Sequence, residues 1–247
     1  MKVNAFVASR LGSVRVPFKN LRLLNGRPMF EYLVDTCLGV RSFSQLYMNS
    51  DSQLLLDIAE QRYGDALKYY KRNEELGTSA ATLDEYVIDF MEQEPGDVTV
   101  FLNPCSIFLQ EQTIANALDY FIENDLDACV ASEIIQTHCF FENSPINFSF
   151  NEKQPKSQDL TPVHAMTSGF FIWRNKTFLK NYKANGFANF SGKFSSYGVS
   201  KMEAIDIDTE EEFQLAERFM TQTSEAPAPS YHPAIHDDVL SGKIKVN

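Results

Sequence analysis

Apolar positions along this chain follow two alternating rhythms. Mainly apolar runs at Val3–Ala8, VTVFLN (98–103), DACVASEI (127–134) and SGFFIW (168–173) have the length of strands and no regular polar alternation. Strands buried on both faces of a sheet read this way. Between the runs, apolar residues return at helical spacing: Arg27–Leu38 after Gly26, Gln53–Tyr63 closed by Gly64, Thr78–Glu94 closed by Pro95-Gly96, and Gln110–Asn124. Asp51 is the expected cap of the second of these helices. Gln45–Met48 predicts a short strand, KTFLKNY (176–182) a helix, GVSKMEAIDID (198–208) a strand and EEEFQLAERFM (210–220) a helix. Strands alternating with helices imply crossover connections and a mostly parallel sheet, that is, a doubly wound α/β fold.

The rhythm breaks near Gln136. Residues 136–165 hold Asn, Ser, Pro and four phenylalanines, Phe140, Phe141, Phe148 and Phe150, with no helical period. They predict an inserted arm whose aromatics either cover a partner or fold back on their own domain. The expected division is therefore an α/β domain at 1–135 and 166–222, an arm at 136–165, and a Pro-rich tail at 223–247.

Composition narrows the class. At 247 residues the chain can bury a large core, and 44% hydrophobic with 22% charged residues is ordinary for a globular protein. A net charge of −11 argues against nonspecific nucleic-acid binding. No stretch approaches the roughly 18 apolar residues of a membrane span. Cys37, Cys105, Cys129 and Cys139 are far apart with no CxxC step. Reduced thiols and a cytoplasmic location are the expectation.

Against the acidic balance, SRLGSVRVPFKN (9–20) gathers Arg10, Arg15 and Lys19, with Arg22 two places on, around Gly12 and Ser13. It follows the first strand, where open α/β sheets bind ligands, and suits a small, strongly anionic group. A merely solvated basic loop is the plainer alternative. It is neither a Walker P-loop nor a GxGxxG turn. In AIDIDTEEEF (204–213), Asp206 and Asp208 would share one face of an extended strand and could hold Mg²⁺, unless Asp208 simply caps the following helix. Phosphate loop and metal carboxylates together suggest phosphoryl or nucleotidyl chemistry. His138 and His164 read as surface or packing residues before general bases, and Cys105 and Trp173 as core.

The first of these stretches resembles the R-x-G-S-x-R-x-P-x-K-N signature of sugar-activating cytidylyltransferases, the acylneuraminate (CMP-sialic acid) synthetases and their CMP-Kdo relatives. KRNEELGTSAATLDEYV (71–87), FLNPCSIF (101–108), SQDLTPVHAMTSGFFIW (157–173) and EAIDIDTEEEF (203–213) are similar to later motifs, in family order, so that the likeness spans about residues 3–220. The resemblance implies a nucleotide-diphospho-sugar transferase-like fold with a dimerisation arm that completes the partner's sugar site, hence a homodimer. It implies that Arg10, Gly12 and Ser13 hold the phosphates of CTP, with Arg15 and Lys19 as charge clamp. Asn20, Arg72 and Thr82 would contact base and ribose, Asn103 and Ser106 the sugar, and Asp206 and Asp208 Mg²⁺. Arg10, Lys19 and Asp208 would be the catalytic set for attack of a 2-keto-3-deoxy sugar acid on the α-phosphorus. The sugar side departs from the pattern. Asn103 and Cys105 replace Gln and Thr, Val14 replaces a Lys, Phe140 falls in an altered H-P-x-K/R segment, and Ile172 replaces Tyr. A nucleotide- or sugar-binding module with weak catalysis is the alternative to a working enzyme.

Overall fold

A computed structural model of the chain describes residues 1–13, 15–78, 80–221, 241 and 243. Its strands are β1 (Val3–Ser9), β2 (Leu23–Leu24), β3 (Arg27–Pro28), β4 (Gln45–Ser50), β5 (Lys68–Lys71), β6 (Val98–Leu102), β7 (Ala128–Ile135), β8 (Phe140–Phe141), β9 (Ser144–Pro145), β10 (Val163–Arg174) and β11 (Phe194–Val199). The helices are α1 (Met29–Gly39), α2 (Gln53–Tyr63), α3 (Leu83–Gln93), α4 (Glu111–Glu123), α5 (Asn175–Asn185) and α6 (Glu210–Thr221). Seven strands form one sheet in the order β11-β7-β10-β6-β1-β4-β5. All neighbours are parallel except β10, which runs antiparallel to both β6 and β7.

The expected fold class is the one observed, because each apolar run has two faces to cover. Val7, Val100 and Ile172 face α1, α2 and α4 through Phe30, Leu33, Leu55 and Phe121. Phe6, Phe101 and Trp173 face α3 and α5 through Phe90 and Phe178. From β1 the chain moves to β4 and β5 on one side and then returns to β6 on the other. That reversal opens a crevice at the carboxyl ends of β1 and β6, flanked by the loops that leave them. A third apolar cluster, Val16, Leu24, Met29, Cys105, Ile107, Ile207, Phe213 and Ala216, binds those loops to α6.

Several boundaries differ from the sequence expectation, each for a local reason. Ser52, not Asp51, caps α2: its hydroxyl accepts from the Leu55 amide at 3.4 Å. The helix expected from Thr78 begins at Leu83, because Thr82 and Glu85 close a capping box there. The strand expected at 198–208 is instead β11, which ends at Val199. Beyond it Ser200 and the buried Glu203 form a turn, Ser200 donating to Glu203 at 2.7 Å. Asp206 and Asp208 therefore lie on irregular chain, held where the Ile207 amide donates to the Cys105 carbonyl at 3.1 Å. β10 already begins at Val163, inside the expected arm, and the remainder of that segment carries the β8–β9 hairpin. The expected tail at 223–247 lies outside the described residues apart from Ser241 and Lys243.

The Phe90 ring, inaccessible to solvent, meets Phe6 at 4.5 Å, Tyr47 at 5.0 Å and Tyr70 at 5.4 Å between centroids. Phe90→Ala should cost about 3–5 kcal/mol. Urea unfolding should show this as a lower midpoint with an unchanged slope.

Candidate active site

Pro17 and the left-handed Phe18 (φ 53°) turn the chain just before Lys19. Val16 is buried in the third cluster, and Lys19 is directed inward, where only 7% of it is exposed. Its Nζ donates to the Ile207 carbonyl at 2.6 Å and to Asp208 Oδ1 at 2.9 Å. Arg15 Nη2 meets the other oxygen of Asp208 at 2.7 Å. Asn20 Nδ2 closes the loop on itself, donating to the Arg10 carbonyl at 3.0 Å. Arg22 takes no part in the crevice: it grips Glu210 through both guanidinium nitrogens and lies 4.0 Å over the Phe213 ring, clamping α6.

Asp208 does not cap α6. The Thr209 hydroxyl and the Glu212 carboxylate do, the former accepting from the Glu212 amide at 3.2 Å and the latter from the Asp208 and Thr209 amides, both at 2.8 Å. This leaves the Asp208 carboxylate for the crevice. Asp206 accepts from the Ser168 hydroxyl and, at 3.4 Å to each oxygen, from Asn103 Nδ2. Asp206, Asp208 and Cys105 each place one donor atom within 4.8 Å of the others. The two carboxylates suit a hard divalent cation, whereas the thiol does not.

Burial works against charge here, and the neighbours decide the outcome. For Lys19, burial lowers the pKa, but Cys105 and Asp208 raise it further, and it ends above its usual value. Burial pushes the Cys105 thiol up to about 11, so it is uncharged at neutral pH and Asp208 is the partner that counts. Burial raises Asp208 too, but the hydrogen bond and charge of Lys19, and then Arg15, hold it below the ordinary carboxylate range. Asp206 is raised, mainly by burial, with the Asp208 charge adding to it against the Ser168 hydrogen bond.

These groups line one end of a cavity of about 550 Å³. The other end is walled by Arg72, Leu76, Leu83, Tyr86, Phe101 and Phe171. Of the residues expected at the site, Arg10, Ser13, Arg15, Lys19, Asn20, Arg72, Asn103, Asp206 and Asp208 all line it. Gly12, Thr82 and Ser106 are not among its walls: Thr82 caps α3, and Ser106 is buried with its amide donating to the Asn103 carbonyl at 3.0 Å. Ile172 points into the core and is inaccessible. Tyr86, Phe101, Phe171 and Ser168 also line the cavity, and the sequence pattern does not mark them as site residues. In sequence Tyr86 lies on the same apolar helix face as Val87 and Phe90, and the two phenylalanines lie in buried strands, so pocket wall and core share one pattern. Ser168, a hydroxyl at the start of an apolar run, offers the one signal that separates it from core neighbours.

Residues 5–228 match the family model described as cytidylyltransferase. The N-acylneuraminate cytidylyltransferase of Streptococcus agalactiae is 25% identical over 222 residues, covering 86% of this chain and 52% of that protein, so this chain spans about half the length of that relative. The CMP-N,N'-diacetyllegionaminic acid synthase of Legionella pneumophila is 26% identical over 238 residues, 92% of this chain and 99% of that one. Among solved structures, a CMP:2-keto-3-deoxy-manno-octonic acid synthetase complexed with CTP superposes with a TM-score of 0.67 at 15% identity, covering 90% of this chain and 99% of the other. That likeness is one of fold.

Proposed function

The chain belongs to the cytidylyltransferase family, and from that premise we propose that it transfers CMP from CTP to a 2-keto-3-deoxy sugar acid of the sialic, legionaminic, pseudaminic or Kdo type, releasing pyrophosphate. The observation that carries this reading is one cavity with cations and paired carboxylates at one end and an aromatic-walled guanidinium at the other. A nucleoside triphosphate has the same two-ended chemistry.

In this reading Arg10 and Ser13 hold the phosphates, and Arg15 and Lys19 offset the charge that grows on the leaving pyrophosphate. Asn20 and Arg72 take the base and ribose, and Asn103 faces the sugar; Thr82 and Ser106, outside the cavity wall, take no part in this reading. Asp206 and Asp208 would hold Mg²⁺, whose bound charge neutralises phosphate oxygens. The anomeric hydroxyl oxygen bonds to the α-phosphorus as the α–β bridging bond breaks, and its proton passes to solvent. Catalysis is then positioning and electrostatic stabilisation. The free cysteines fit a reducing cytoplasm, and among the described residues no helix is long and apolar enough to cross a membrane.

The arm is the proposed homodimer contact. Phe140, Phe141, Ile146 and Phe150 are exposed, although Phe140, Phe148 and Phe150 also pack on one another, mostly edge to face, with centroids 5.1–6.1 Å apart. Burying the outer faces in a second copy would contribute at most about 1.5–3 kcal/mol per ring, the value for full burial, before association costs. Sedimentation equilibrium should give twice the 28.1 kDa protomer mass at micromolar concentration. A single-protomer mass at about 100 μM, well above the affinity such burial implies, would contradict it.

Chromatography of reactions containing CTP, Mg²⁺, pyrophosphatase and a panel of keto-sugar acids should show a CMP-sugar with at least one acid. Since Thr209 and Glu212 cap α6, Asp208→Asn should fold and lose about 100-fold or more in turnover. CTP binding with no product from any acid would favour the binding module. Activity that merely tracks the folded fraction of Asp208→Asn would make the aspartate structural.

A further inference from the structure

We propose that Asp51, which is not part of the cavity wall, is a positioning residue that fixes the Arg72 guanidinium against Tyr86 and thereby sets affinity for the nucleoside end of the substrate without touching its polyphosphate end. The inference rests on the nucleotide reading above and adds to it a residue outside the cavity.

The Arg72 side chain is only 4% exposed, and its guanidinium is held on three sides. Nη1 donates to Asn49 Oδ1 at 3.1 Å, Nη2 lies 3.6 Å from Asp51 Oδ1, and Cζ sits 5.2 Å from the Tyr86 ring centroid. Nε has no hydrogen-bond partner among the described residues. A buried, unused donor is costly unless a ligand acceptor meets it. Burial lowers the Arg72 pKa and the Arg10 charge adds to that, while Asp51 works in the opposite direction. Asn49 and Tyr86 can orient the fork, but Asp51 is the carboxylate that lies at its edge.

Asp51 also touches the lip of the cavity. A Cβ at Gly77 would lie 2.3 Å from Asp51 Oδ2, so the Glu74–Gly77 turn closes directly on this carboxylate. Leu76 and Thr78, from the same turn, line the cavity. The Asp51 carbonyl in turn accepts from Lys71 Nζ, tying the aspartate to the residue before Arg72. One side chain outside the wall thus joins the guanidinium to the turn that covers it.

The test is calorimetric titration of the full chain and of Asp51→Asn with CTP and, separately, with inorganic tripolyphosphate at one fixed Mg²⁺ concentration. Asp51→Asn keeps the shape and removes the charge. CTP affinity should fall about tenfold or more, while tripolyphosphate affinity stays within about twofold. Equal losses for both ligands, or no loss for either, would overturn the proposal. Should Asp51→Asn fail to fold, Gly77→Ala presses on the same carboxylate from the turn, and the same ratio of losses decides. A parent chain that binds tripolyphosphate but not CTP would overturn the nucleotide reading and this inference with it.

Discussion

The contact between Lys19 and Asp208 joins residues 189 positions apart, and the site depends on it. A lysine that is 7% exposed needs an anionic partner, and a carboxylate beside Asp206 needs cations. Each requirement is met by the other, with Arg15 completing the neutralisation of Asp208 from the solvent side. Because Lys19 Nζ also donates to the Ile207 carbonyl, the loop after β1 and the chain before α6 are held as a unit over the carboxyl end of β6. The apolar cluster beneath, from Val16 to Phe213, keeps that unit in place.

This arrangement explains how an acidic chain presents a cationic cavity. Arg10, Arg15, Lys19 and Arg72 converge on it from the loops after β1 and β5, against the two carboxylates Asp206 and Asp208. Arg72 is the most deeply set of these, and its charge is tolerated because Asn49, Asp51 and Tyr86 surround it. The cavity is therefore graded, with exchangeable charge near Arg15, whose side chain is 66% exposed, and fixed geometry near Arg72.

The fold and the cationic lining of the cavity were legible in the sequence because they depend on local pattern. Buried runs specify the central strands, and Arg10, Ser13, Arg15 and Lys19 sit within a dozen residues. The Asp206–Asp208 pair was found for a reason that proved incorrect, since it lies on irregular chain and not on a strand. What brings the two carboxylates together is their tether to Cys105, Ser168 and Lys19, which are remote in sequence. Arg22 reads in sequence as one of four cations gathered at this loop but faces α6, because Glu210 and Phe213 hold it there. The aromatic wall was hidden because Tyr86, Phe101 and Phe171 obey the same spacing as their core neighbours.

A double-mutant cycle between Lys19→Met and Asp208→Asn, read by urea unfolding at neutral pH, tests directly whether this contact holds the two ends of the chain together. The account predicts a coupling of about 1 kcal/mol or more, as for a charge-assisted hydrogen bond that is largely shielded from water. Losses that simply add, with no coupling beyond about 0.3 kcal/mol, would contradict it.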